Sequence, residues 1–86
     1  MDNISAKKLA DKQYKKYNML LKRASSLKIT KKWRWIFLGD IVDHMKIFTL
    51  IKQNQFSKAA KTLYYLDTSS REEFNSVLYS FLMDQR

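Results

Sequence analysis

Residues 55–83 read QFSKAAKTLYYLDTSSREEFNSVLYSFLM, and their spacing decides the fold class. Phe56, Ala59, Ala60, Leu63 and Leu66 recur at i, i+3, i+4, i+7 and i+10. That is one apolar face of an α-helix, predicted over about 55–66. Phe74, Val77, Leu78, Phe81 and Leu82 place a second such face over about 70–83. Between them, Asp67-Thr68-Ser69-Ser70 is a turn. Ser69 with Glu72, and Ser70 with Glu73, both have the capping-box spacing, so the second helix is expected to start at one of these serines. Two helices joined by a short turn form an antiparallel α-hairpin.

Upstream, residues 31–53 are apolar over much of a helical circumference. Leu38, Ile41, Val42, Met45, Phe48 and Thr49 form one stripe, and Ile36, Phe37, Ile47, Leu50 and Ile51 widen it. A helix apolar on most sides is usually the central one. Gly39-Asp40 leaves two readings open. Asp40 with Asp43 could cap a new helix, or Gly39 could sit inside one long helix at a cost of about 1 kcal/mol. Asn54 is suited to end this region, because asparagine tolerates the left-handed conformation.

The run Gln53-Asn54-Gln55-Phe56-Ser57-Lys58-Ala59 resembles the inter-helix turn of a tetratricopeptide repeat, and the spacing of Trp35, Leu38 and Gly39 is similar to the start of one. The intervening helix is too long for that repeat, and arrays need about three units. The chain is therefore read as a small bundle of three to four helices.

The first helix is predicted over about 5–27, with Asn3 or Ser5 as its cap. Ala6, Leu9, Ala10, Tyr14, Tyr17, Leu20, Leu21, Ala24 and Leu27 share one broad arc. Lys8, Lys12, Lys15, Lys16, Lys22 and Arg23 fill the opposite arc. Like charges at this spacing repel mildly, so the apolar arc has to dock on the chain's own body or on a partner. Ser25, Ser26, Ile29 and Thr30 mark a break, with Thr30 as the cap of the next helix.

The charge is divided along the chain. Seventeen Lys+Arg stand against eight Asp+Glu in 86 residues, a net charge of +9. Residues 1–34 hold eleven cations and two acids, whereas residues 35–86 hold six of each. The expectation is one domain over 1–86, with a basic helical element over 1–34 and a neutral, more apolar body over 35–86. Such asymmetry points to a polyanionic partner: nucleic acid, an acidic protein surface or, less favoured, anionic lipid.

Several function classes are excluded or disfavoured. There is no cysteine, one histidine, one glycine and no proline. Disulfide frameworks and thiolate metal sites are ruled out, and a zinc site is disfavoured. A phosphate-cradling loop needs several glycines. No cofactor is expected. The start of the chain is polar and lysine-rich, without a signal-like apolar run. The most apolar stretch, 33–51, is broken by five charged or histidine residues, against the ~20 mostly apolar residues of a span. An intracellular, soluble location in the cytoplasm, nucleoid or nucleus is expected. A composition rich in lysine and isoleucine but poor in glycine and proline suits an A+T-rich genome, including viral ones.

Little in the chain suggests catalysis. His44 has Asp40 four residues before it, near enough on a helix to polarise it. It lacks an evident nucleophile, and a surface or half-buried histidine is the expectation. Tyr64, Tyr65 and Tyr79 are expected at the edge of the core with wet hydroxyls.

Lys31, Lys32 and Arg34 are interleaved with Trp33 and Trp35. Aromatic rings beside cations can stack on splayed bases, at roughly 1–3 kcal/mol per base. On a helix these two tryptophans point about 200° apart, so they cannot be equally buried. Thirteen of the cations are lysine, which meets phosphate as a point charge without bidentate base readout. The preferred expectation is a non-enzymatic nucleic-acid-binding or nucleic-acid-associated accessory protein that acts by sequence-tolerant phosphate contacts. The alternative is an inhibitor or adaptor that inserts Leu9, Tyr17, Leu20 and Leu27 into a partner's acidic-rimmed groove. Ala10, Tyr17 and Ala24 recur every seven residues and leave homo-oligomerisation open.

Overall fold

A computed structural model describes the backbone of residues 1–26 and 31–85, and the side chains of residues 1–23 and 38–85. The described residues form five helices and no strand: α1 (Asn3–Ser26), α2 (Lys31–Lys52), α3 (Phe56–Tyr64), α4 (Thr68–Glu73) and α5 (Ser76–Met83). The fold is all-α, as the spacing predicts. The expected cap Thr30 and the expected last residue of the first helix, Leu27, lie outside the described residues.

Helix α1 starts earlier than expected, and neither Asn3 nor Ser5 caps it. Asp2 does: its carboxylate accepts from the Ser5 backbone N–H at 2.7 Å. An aspartate at this position also complements the positive end of the helix dipole. Helix α2 is continuous through Gly39, so Asp40 is not a cap. At its far end Asn54 takes φ 62°, the left-handed conformation expected of it.

The buried face of α2 differs from the predicted stripe. Ile41, His44, Ile47, Phe48 and Ile51 are buried, while Val42 is 44% exposed. The predicted stripe is centred about one residue off because it leaves a histidine out of the core. The actual buried face follows Ile41, His44, Phe48 and Ile51 at i, i+3, i+7 and i+10.

Among the described residues, helices α1 and α2 form the most extensive contact between elements. Asp11 meets Lys52, and Tyr17 meets both His44 and Phe48, so the two helices run antiparallel. Ala6 and Ala10 are fully buried; their small side chains let α1 lie close to the body. Phe56, Ala59, Ala60 and Leu63 of α3 are buried as their spacing requires. Phe56 meets Phe81 of α5 edge-on, with centroids 5.5 Å apart.

The predicted fourth helix is two helices. Phe74 is extended at φ −69°, ψ 151°, and Asn75 caps α5 by accepting from the Val77 and Leu78 backbone N–H groups. The expected serine capping box is absent. Asp67 caps α4 instead, accepting from the Ser69 N–H at 3.0 Å, and Ser70 is buried. An aspartate and an asparagine each satisfy first-turn amides directly, which divides the segment into two short starts. The break also shifts the helical phase. Phe74, Leu78, Phe81 and Leu82 remain buried, but Val77 is half exposed.

Gly39 is exposed and helical, and among the described residues an alanine methyl at this position would meet no neighbour within 4 Å. Gly39→Ala is therefore expected to stabilise the fold by about 0.5–1 kcal/mol, read as a higher midpoint in urea denaturation.

Candidate nucleic-acid interface

The cationic residues of α1 stand where the helical spacing puts them. Lys8, Lys12, Lys15, Lys16, Lys22 and Arg23 are all exposed. The apolar arc faces the other way. Leu9, Tyr14 and Tyr17 pack against the buried cluster that includes Ala6, Ala10 and Phe48. Leu20 lines a small cavity of about 110 Å³ with Asp40, Ile41 and Glu73. Leu9, Tyr17 and Leu20, the residues considered for insertion into a partner, thus meet the chain's own body; Leu27 lies outside the described residues.

Asp11 is the only acid within α1. It bridges Lys52 at 3.0 Å and Lys15 at 3.1 Å. Hydrogen bonds from Lys52, then Lys15, hold its carboxyl below the usual carboxylate range. The Lys52 ammonium also lies over the Tyr14 ring, 4.6 Å from its centroid, an attractive arrangement for a cation on an aromatic face. Asp11 is thereby shared between Lys52 of α2 and Lys15 of its own helix, and Lys8, Lys12, Lys16 and Lys22 stay exposed on the outer side of α1.

Lys31, Lys32, Trp33, Arg34 and Trp35 belong to the first turns of α2. Their side chains lie outside the described residues.

His44 is buried, not at the surface or half-buried as expected. Its Nε2 lies 3.0 Å from the Ser70 carbonyl oxygen. A carbonyl only accepts, so Nε2 carries the proton in this contact. The Ser70 hydroxyl donates to Asp40 at 2.7 Å. The imidazole thus meets the serine's carbonyl and is not placed to take its hydroxyl proton. Asp40, His44 and Ser70 tie α2 to α4 and do not form a nucleophile–base pair. The ring lies among Tyr17, Phe48 and Phe74. Burial, then the negative charge of Glu73, pushes the Tyr17 phenol up from its ordinary value.

Two features of this surface are not legible in the sequence. The Asp11–Lys52 bridge joins residues forty-one apart, and nothing local marks it. Tyr65 is 83% exposed and meets Tyr64 edge-on at the end of α3; it is not at the core edge as expected, whereas Tyr79 packs against the core.

Among the described residues no helix is long and apolar enough to cross a membrane, and no three His, Cys, Asp or Glu side chains are grouped to hold a metal ion. The chain matches no protein family, no curated protein and no solved structure at a significant level.

Ser70→Ala removes a hydrogen bond to a carboxylate, an interaction worth about 1.5–3 kcal/mol. The expected result is a loss of that order in chemical denaturation, with the helical circular dichroism retained. Acid should weaken the fold as well. Hydrogen bonds from Ser5, Lys52 and Ser69 hold the carboxyls of Asp2, Asp11 and Asp67, respectively, below their ordinary value. The unfolded chain therefore takes up these protons first as pH falls. The stabilisation is present above about pH 4 and is lost below it. A melting temperature lower at pH 3 than at pH 6 is the expected reading.

Proposed function

We propose that the protein is a non-enzymatic nucleic-acid-binding or nucleic-acid-associated accessory protein, and that the outer side of α1 is its phosphate-contacting surface. One observation carries this reading. Lys8, Lys12, Lys15, Lys16 and Lys22 are exposed along one side of a helix whose other side is anchored in the core. Lys8 to Arg23 span about 22 Å at ~1.5 Å per residue. Duplex DNA carries about one charge per 1.7 Å of axis, so a rail of this length has more phosphates in reach than it has cations.

The body serves as the support. In this reading α3 and the segment of α4 and α5 form an antiparallel hairpin that supports α2 through α3 and α1 through α5. Lysine point charges neutralise phosphates without selecting bases, which gives sequence-tolerant binding in the compartment that holds the nucleic acid. Lys31, Lys32 and Arg34, with Trp33 and Trp35, would extend the rail. Inserting the α1 apolar arc into a partner is the weaker reading, because Leu9 and Tyr17 already pack on the chain's own core.

The test is fluorescence anisotropy with labelled single-stranded DNA, duplex DNA and RNA across a salt series. Contacts with about five phosphates on duplex should give a slope of log affinity on log salt near −4 to −5. Reversal of Lys12, Lys15 and Lys22 to glutamate should abolish binding with circular dichroism unchanged. Unchanged affinity in that triple variant would exclude α1 as the interface.

A further inference from the structure

A groove of about 550 Å³ runs along the flank of the α1–α2 pair and reaches α3. Its apolar wall is Tyr14 and Leu21 from α1 with Val42, Met45 and Leu50 from α2. Val42, predicted to lie within the buried stripe of α2, is 44% exposed along this wall.

Besides the Tyr14 phenol, the polar groups around this wall are of two kinds. Thr49 and Thr62 turn their hydroxyls back onto the carbonyls of Met45 and Lys58, at 2.9 and 2.8 Å. Both hydroxyl protons are therefore committed within their own helices. The other polar groups are the ammonium ends of Lys46 and Lys58. Both lysines are exposed, and the ion pairs found among the described residues involve neither. Among the described residues no acid lines the groove. It is an apolar trough with only positive charge at its edges.

We propose that this groove docks an acidic amphipathic helix of a partner protein. Charge complementarity selects the sign, because two lysines without a facing carboxylate attract acidic flanks and repel basic ones. Length selects the shape. Val42 to Leu50 covers about 12 Å at ~1.5 Å per residue. A helix placing apolar anchors at i, i+3 or i+4, and i+7 covers about 10.5 Å, so one such two-turn face fills the trough. The site is separate from the lysine rail of α1 and does not depend on its role.

The probes are two synthetic helical peptides with leucines at i, i+3, i+4 and i+7. One is flanked by glutamates and the other by lysines. Binding is read by titration calorimetry and by amide shifts of the ¹⁵N-labelled full chain. The acidic peptide is expected to bind and to shift Val42, Met45 and Thr49, while the basic peptide does not. Val42→Glu should weaken binding at least tenfold. The double variant Lys46→Glu with Lys58→Glu should do the same, and because both side chains are exposed it tests the site even if Val42→Glu fails to fold. Reversal of Lys12, Lys15 and Lys22 should leave the shifts at Val42, Met45 and Thr49 in place.

Failure of the acidic peptide to bind overturns the proposal, as does equal binding of both peptides. Binding lost on reversing the α1 lysines but kept in Val42→Glu would place the peptide on the rail, again against the proposal. Sedimentation supplies the last arm: a dimer abolished by Val42→Glu would make a second copy of the chain the occupant, and would overturn the assignment to an acidic partner.

Discussion

The fully buried ring of Phe48 is where three parts of the chain meet. Tyr17 of α1 approaches it edge-on at 5.3 Å. Phe74, from the break between α4 and α5, stacks on it at 5.2 Å. Burial of one phenylalanine side chain contributes roughly 1.5–3 kcal/mol, and well-placed aromatic pairs add about 0.5–1.5 kcal/mol each. In a fold of this size such terms are a large share of net stability. The location of Phe48 matters as much as its energy, because these contacts hold the charged helix and the C-terminal segment to the same central helix.

That attachment answers the electrostatic problem posed by α1. A helix with many cations and one acid repels itself, and most helical stability in proteins comes from tertiary packing of an amphipathic face. Docking of Ala6, Ala10, Leu9, Tyr14 and Tyr17 supplies what the helix lacks alone. Lys52 then takes up Asp11 from outside the helix. Fold and surface charge are thereby linked: the packing that keeps α1 helical also leaves its lysines pointing outward.

The tie among Asp40, His44 and Ser70 shows how a polar group can enter such a core. His44 spends Nε2 on a backbone carbonyl and rests its ring against three aromatic neighbours. Burying a polar group without a partner costs free energy; this arrangement satisfies Nε2, while Nδ1 stays buried with no hydrogen-bond partner among the described residues. The histidine also sets the phase of α2. With His44 inward, Val42 is turned toward solvent, and the apolar groove beside it follows from that rotation.

Periodicity and charge, which are local properties, determined much of this protein from the sequence alone. The helical class, the buried face of α3, the left-handed turn at Asn54 and the lysine arc of α1 all follow from residue spacing, because a helix maps sequence separation directly onto direction. What the tertiary structure decided depends on residues distant in the chain or on competition between similar local signals. Ser69, Ser70, Asp67 and Asn75 could each start a helix; Asp67 and Asn75 do, while Ser70 is buried with its hydroxyl on Asp40, thirty residues away. His44 is ambiguous by itself and becomes a core residue only when Ser70 and three aromatic rings surround it. The Asp11–Lys52 bridge and the groove along α1, α2 and α3 exist only once separate helices lie side by side, and no spacing within a single helix can encode them.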